Sequence, residues 1–324
     1  GRKMNPSKDI PLQNNQAKLS LKLLSLRYLM TWTGIAILRL SVFLPYNFLM
    51  RFGNGIGMIL HKISPHRSEI VKINIKKCLG IEGKELEHLV RSNFKALGRG
   101  FFETAIAWWA SNKKIKALSQ NIVNEHLIDQ LGSGALVLIK HSTHLELDLR
   151  ILSNYFDLTG MYKNQTNAVV NYVMINSRNK YVKASASNNE AMKAIRWINK
   201  GEKFIYAADQ DYGLKVSAMI PFFGSDAATV TFPALFSRKN IKIIMADVSK
   251  IDGCYVIEFA ELNNTEDEKY FLSSMNECYE EFIKKEPEGY LWMHRRFKSG
   301  SENAIYPKWS SREKRRAKRR MKRD

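Results

Sequence analysis

The chain has 324 residues, of which 45% are hydrophobic and 25% charged, which excludes a disordered or fibrous polypeptide and leaves room for a large buried core. It carries 51 Lys and Arg against 31 Asp and Glu, a formal net charge of +20. That bias points to an anionic partner: nucleic acid, lipid headgroups, a phosphorylated substrate or an acidic protein.

The first informative stretch runs from Tyr28 to Ile63. It holds two apolar runs, separated at Arg39 and broken again at Pro45 and Arg51. Neither run reaches the roughly 20 apolar residues of a clean spanning helix. A span from Tyr28 to Met50 would have to accommodate Arg39, which is costly in mid-membrane. A helix lying in the membrane interface, with Trp and Tyr at headgroup level, is equally consistent, as is a buried helical hairpin. The aromatic and apolar density favours membrane contact. No small-residue cleavage site follows a short apolar core, so no secretory signal is read.

From Gly83 to Ser111, apolar residues such as Leu86, Val90, Phe94, Leu97, Phe101, Phe102, Ile106 and Trp109 recur close to the helical period. The chain then alternates. Strands are expected at Ala135–Lys140, Leu158–Lys163, Phe204–Ala208, Lys242–Val248 and Tyr255–Phe259. Helices are expected near Leu145–Leu152, Ala168–Ser177, Asn189–Asn199 and Ala227–Arg238, with a last one over Glu266–Lys285. Such alternation predicts an α/β fold: a central, mostly parallel mixed sheet with helices on both faces, preceded by a hydrophobic, membrane-associated N-terminal helix. The expected organisation is an anchoring segment over 1–65, a catalytic domain over 66–306 and a basic tail over 307–324. From Lys308 to Asp324 there are ten Lys or Arg and two acids. Cys78, Cys254 and Cys278 are scattered without a Cys-x-x-Cys, which fits buried thiols in a reducing compartment.

In open parallel sheets the site lies at the carboxyl ends of the strands. Two polar clusters stand at such ends. The first is Lys140-His141-Ser142-Thr143-His144-Leu145-Glu146-Leu147-Asp148. A histidine near a carboxylate suits a general base and its orienting partner, since imidazole titrates near neutrality. His144 and Asp148, four apart, share a helix face; His141 and Glu146 meet only if His141 sits in the turn before that helix. Spacing leaves both pairs open, together with a purely solvated helix face. The second cluster is Asp209-Gln210-Asp211-Tyr212-Gly213, whose carboxylates suit either a cationic neighbour or a capped turn. Trp292-Met293-His294-Arg295-Arg296-Phe297-Lys298 sets cations beside aromatics, suited to phosphate or to a stacked surface strand. No Gly-x-Ser-x-Gly elbow, phosphate-binding loop, dinucleotide fingerprint or His-Glu-x-x-His is present, so neither a metal nor a nucleotide cofactor is expected.

These segments in order resemble the bacterial lipid A late acyltransferases, within the lysophospholipid and glycerol-phosphate acyltransferase superfamily. The resemblance rests on the hydrophobic N-terminus, Phe101-Phe102-Glu103-Thr104, His141 through Glu146, Asn176-Ser177-Arg178, Asp209 through Gly213, Pro221-Phe222-Phe223-Gly224 and Trp292 through Lys298. The family's His-x4-carboxylate motif falls on His141 and Glu146. The resemblance therefore implies that His141 deprotonates a hydroxyl and that Glu146 orients it. Arg178 matches the family's arginine near the site, for substrate phosphate or an oxyanion; Asp209 and Asp211 match its acidic motif, as substrate-binding residues.

The implied reaction moves a fatty acyl chain from acyl carrier protein, as co-substrate, to a hydroxyl of an acyl chain on a phosphorylated lipid A precursor. The implied place is the bacterial inner membrane, with the site facing the cytoplasm and an anionic membrane surface, not nucleic acid, taking up the positive charge. Two alternatives stand beside this reading. One is glycerophospholipid or lysophospholipid acylation within the superfamily. The other is non-catalytic binding to an anionic membrane or nucleic acid.

Overall fold

Five consecutive apolar residues, Ala135–Ile139, form strand β2 and are almost completely buried, as a parallel strand covered on both faces requires. The structure, a computed structural model, describes residues 17–162, 164–187, 191–300, 305–308 and 314–315. Most of the basic tail therefore lies outside the described residues. The other strands of the main sheet are β1 (Ser119–Val123), β3 (Leu158–Tyr162), β4 (Val182–Ser187), β5 (Lys203–Ala207), β8 (Ile243–Ile251) and β9 (Cys254–Glu261). Their spatial order is β1-β9-β8-β2-β5-β3-β4. Only the β8–β9 pair is antiparallel. A separate antiparallel hairpin joins β6 (Ser217–Phe222) to β7 (Ser225–Val230).

The helices are α1 (Leu29–Ser41), α2 (Tyr46–Ile63), α3 (Pro65–Leu79), α4 (Gly83–Trp109), α5 (Asn112–Leu118), α6 (Leu145–Leu152), α7 (Ala168–Arg178), α8 (Ala191–Asn199), α9 (Phe232–Arg238) and α10 (Glu268–Lys285). Alternate residues of β2 feed two cores, as a two-residue side-chain period dictates. Leu136 and Leu138 share one with α8, α9, α10 and the first half of α4. Ala135, Val137 and Ile139 share the other with α6, α2 and the second half of α4.

The expected helix over Ala227–Arg238 is divided. Ala227–Val230 belongs to β7, and the helix starts at Phe232 with Pro233 in its first turn. The β-branched run Thr229-Val230-Thr231 favours the strand, and a proline suits a helix start. Strands β1, β4 and β6 carried no expectation, because polar and small residues such as Lys183-Ala184-Ser185-Ala186-Ser187 give no apolar run. All three cysteines are free; Cys78 is buried, whereas Cys254 and Cys278 are only half-buried, contrary to the expectation for all three.

At the N-terminus, two short helices replace the single expected one. Among the described residues, no helix is long and apolar enough to cross a membrane. Helix α2 buries Leu49, Met50, Gly53 and Gly57 and leaves Phe48, Phe52, Ile59 and Ile63 outward. A Cβ at Gly57 would meet the Phe94 carbonyl oxygen at 2.1 Å, so α2 and α4 touch backbone to backbone. Helix α1 exposes Leu29, Met30, Ile37 and Leu40, and the turn between the two helices exposes Phe43 and Leu44.

Candidate active site

The register of β2 against β5 builds the centre of the site. Ile139 pairs with Ala207, so His141 and Asp209, each two residues further on, emerge side by side at the carboxyl edge of the sheet. The His141 backbone N–H donates to Asp209 Oδ2 at 2.7 Å, and His141 Nδ1 lies 2.5 Å from Oδ1. Asp209 is fully buried, while the His141 side chain keeps 18% exposure. Burial alone would raise the Asp209 carboxyl; the His141 ring and the hydrogen bonds from His141 outweigh it and hold the group below its ordinary range. A carboxylate oxygen can only accept, so Nδ1 is the donor of this bond. Nε2 makes no hydrogen bond to any described residue, and its lone pair is available to an incoming hydroxyl.

The turn carrying His141 is held from outside the sheet. Thr143 N donates to Gly289 O at 2.7 Å, and Leu291 N donates to His141 O at 3.0 Å. Asn93 on α4 donates to Glu288 O and Tyr290 O, both at 2.8 Å, and so fixes the strap that grips the turn. Tyr279 donates to Ile139 O at 3.0 Å, and Tyr290 donates to Asp209 O at 3.3 Å. Gly100 on α4 abuts the turn so closely that a Cβ there would lie 2.3 Å from the Thr143 carbonyl oxygen.

Glu146 does not touch His141. Among the described residues, no hydrogen bond or ion pair joins them. Glu146 sits in the first turn of α6 and faces α4 and α7 instead. Its carboxylate accepts from Trp108 Nε1 at 2.9 Å, Tyr181 OH at 3.2 Å and Arg178 Nε at 3.0 Å, and a second bond from Arg178 Nη2 makes that pair bidentate. Burial would raise the carboxyl, but the Arg178 guanidinium and the three donors hold it low. The carboxylate that touches His141 is Asp209, where Glu146 was expected. The distinction arises because His141 leans along the strand direction toward β5, while Glu146 has already turned onto a helix.

His144 and Asp148 also come together, in a buried setting. His144 is 2% exposed, with Nδ1 2.5 Å from Asp148 Oδ1 and Nε2 3.1 Å from Glu286 Oε2. Both ring nitrogens are occupied. Burial would lower its pKa, but the Asp148 and Glu286 carboxylates outweigh burial and hold it well above the ordinary value, so the ring is a charged bridge. Lys140 pairs with Asp247 in the same buried layer, and Glu103 accepts from Tyr255 at 2.5 Å and from Lys250 at 3.3 Å. This layer welds α4, α6, β8, β9 and the strap together beneath His141.

Asp211 and the Trp292–Lys298 segment turn out to be internal supports. Asp211, 1% exposed, accepts from Gly213 N at 2.9 Å, Ser299 N at 2.9 Å and Ser299 Oγ at 2.7 Å. Its own N–H donates to His294 Nε2 at 2.9 Å; burial and the neighbouring Lys298 and Arg296 push that imidazole down to about 3, so it stays neutral and accepts. Both Asp209 and Asp211, expected as substrate-binding residues, are enclosed and bonded to protein donors in this structure. Arg296 is buried, donates to Ala228 O and Thr229 Oγ1, and stacks over the Phe222 ring. Sequence reading passed over Trp108, Tyr181, Asn93, Glu286 and Tyr290. The aromatic and amide residues are ordinary core and cap types, and only their contacts reveal them. Among the described residues, no group of three or more His, Cys, Asp and Glu side chains is arranged to hold a metal ion.

Comparison with known proteins adds to this geometry. The family model described as bacterial lipid A biosynthesis acyltransferase matches residues 16–299. The chain is 30% identical over 298 residues to a lipid A biosynthesis lauroyltransferase of Escherichia coli (strain K12), covering 89% of this chain and 97% of that relative. It is 29% identical over 302 residues to a lipid A biosynthesis palmitoleoyltransferase of the same strain, covering 90% and 99% respectively. A lipid A biosynthesis acyltransferase of Haemophilus influenzae is 29% identical over 284 residues, covering 84% of this chain and 91% of that relative.

Proposed function

The chain belongs to the bacterial lipid A biosynthesis acyltransferase family, and from that premise we propose that it transfers a fatty acyl chain from acyl carrier protein to a hydroxyl of an acyl chain on a phosphorylated lipid A precursor. The observation that carries the reading is the His141–Asp209 pair, with Nε2 of His141 left unbonded at the carboxyl edge of the sheet. His141 Nε2 takes the proton of the acceptor hydroxyl while Asp209 holds Nδ1–H and stabilises the imidazolium that forms. The oxygen bonds to the thioester carbonyl carbon, the resulting tetrahedral oxyanion collapses, the C–S bond breaks, and the proton passes from His141 to the departing thiolate. No acyl-enzyme is required. Arg178, held by Glu146, would bind a substrate phosphate or the oxyanion in this reading.

The same reading places the enzyme on the anionic inner face of the bacterial inner membrane. Its outward apolar residues on α1 and α2 would lie in the interface, with Arg39, Arg51 and Lys62, which are also exposed, toward the headgroups. Each such cation contributes about 1 kcal/mol near an anionic surface. Acyl carrier protein is acidic, and the net charge of +20 suits it as a partner.

The deciding experiment supplies the purified chain with acyl carrier protein thioesters and either a lipid A precursor or lysophosphatidic acid. Acylation of the lipid A precursor at a hydroxyl of an existing acyl chain is expected by mass spectrometry. Acylation of lysophosphatidic acid alone would overturn the reading.

A further inference from the structure

We propose that Tyr212–Met219, the segment that leaves the Asp209 end of β5, is a second membrane-contacting rim of the active site, seated on an anionic phospholipid surface. The proposal rests on the membrane-docked reading above and extends it to a part of the chain remote in sequence from α1 and α2.

Tyr212, Leu214, Val216 and Met219 are 46%, 58%, 49% and 37% exposed, a dense run of outward apolar side chains on one short segment. Lys215 is exposed between them, and no acidic residue lies within the segment. An aromatic ring, aliphatic side chains and a lysine are the composition of an interfacial anchor. The base of the segment is rigid. Buried Asp211 accepts from Gly213 N, and Gly213 takes a positive φ of 92° that turns the chain outward into a single 3-10 turn over Leu214–Val216. The apolar tip is thus held out by a buried anchor.

The placement fits a lipid surface. Strands β2, β5 and β3 are parallel neighbours, so their carboxyl ends lie along one edge. His141 stands beyond β2 and the apolar segment beyond β5. Beyond β3, Asn167 donates to Thr31 of α1 at 3.1 Å, which brings the first apolar patch to the same edge. The base and both exposed apolar patches therefore lie along one edge of the sheet, with the Tyr212–Met219 segment next to the base, as suits an enzyme whose acceptor is embedded in lipid. A stable protein partner needs about 800 Å² on each side, more than four side chains on one segment supply.

The test uses the full chain with Cys254→Ser and Cys278→Ser, carrying a single environment-sensitive fluorophore on Leu214→Cys or, separately, on Phe48→Cys. The probe surface is vesicles of phosphatidylethanolamine and phosphatidylglycerol with spin-labelled acyl chains. Quenching and a blue shift at both positions are expected. In parallel, Leu214→Ser with Val216→Ser should weaken vesicle partitioning by roughly tenfold, with an unchanged circular dichroism spectrum. Quenching at position 48 alone, or unchanged partitioning, overturns the second rim while sparing the membrane reading. Absence of quenching at both positions overturns both.

Discussion

The Nδ1 atom of His141 lies 2.5 Å from Asp209 Oδ1, and the backbone N–H of the same histidine donates to Oδ2 of that carboxylate at 2.7 Å. One buried acid thus fixes both the ring and the main chain of the proposed base, from a position 68 residues further along the sequence.

Replacing Asp209 should therefore damage catalysis more than any other carboxylate replacement. Asp209→Asn keeps the size but removes the negative charge that selects the Nδ1–H tautomer, and kcat should fall ~10²–10⁴-fold. His141→Ala should fall as far, and the double variant little further, because the two act as a unit. Single-turnover rates with saturating substrates measure this; additive losses would break the pairing.

Glu146 should behave differently. Glu146→Ala leaves the mostly buried Arg178 guanidinium without its anion, a loss of about 3 kcal/mol of stability. The expected result is a lower melting temperature together with a raised KM for the phosphorylated acceptor. Wild-type stability and KM with a fallen kcat would instead place Glu146 beside His141 during turnover.

His144 predicts a pH signature in stability. Its folded-state pKa is raised above the ordinary value of about 6.5, so its contribution is fully present below that pH and is lost as pH rises through the folded pKa. The difference in melting temperature between wild type and His144→Gln should be largest at mildly acidic pH and shrink on the alkaline side. A difference that grows with pH would contradict the charged bridge.

Gly100→Ala tests the seating of the catalytic turn. The added Cβ would lie 2.3 Å from the Thr143 carbonyl oxygen, so α4 and the turn must separate. Overpacking of this kind costs roughly 1–3 kcal/mol. A shift of even 1 Å at the base costs on the order of 10²-fold in rate. Activity should thus fall by much more than the melting temperature suggests, and equal activity at equal stability would show that the contact does not position His141.

Much of this arrangement was legible in the residues. The apolar run Ala135–Ile139, the helical period from Leu86 to Trp109 and the alternation that follows specified the α/β sheet, because burial on two faces or on one stripe leaves its period in the sequence. His141 stood out as one of two candidate histidines past a strand end, and the outward Phe48 and Phe52 belong to a stretch whose apolar density favoured membrane contact. The strand β7 was hidden because Ala227-Ala228-Thr229-Val230 reads equally as a helix start until its pairing with β6 is known.

What the sequence by itself determined was the class of fold and the sheet edge where two histidine–carboxylate pairs stood as candidates, both properties of local pattern. Which carboxylate touches His141 was decided only in three dimensions. Strand register sets Asp209 beside His141, while helix α6 carries Glu146 away to Arg178. Burial then surrounds His144, Asp148 and Asp211 with partners that only the tertiary structure supplies, because those partners lie on distant segments such as Glu286 and Ser299.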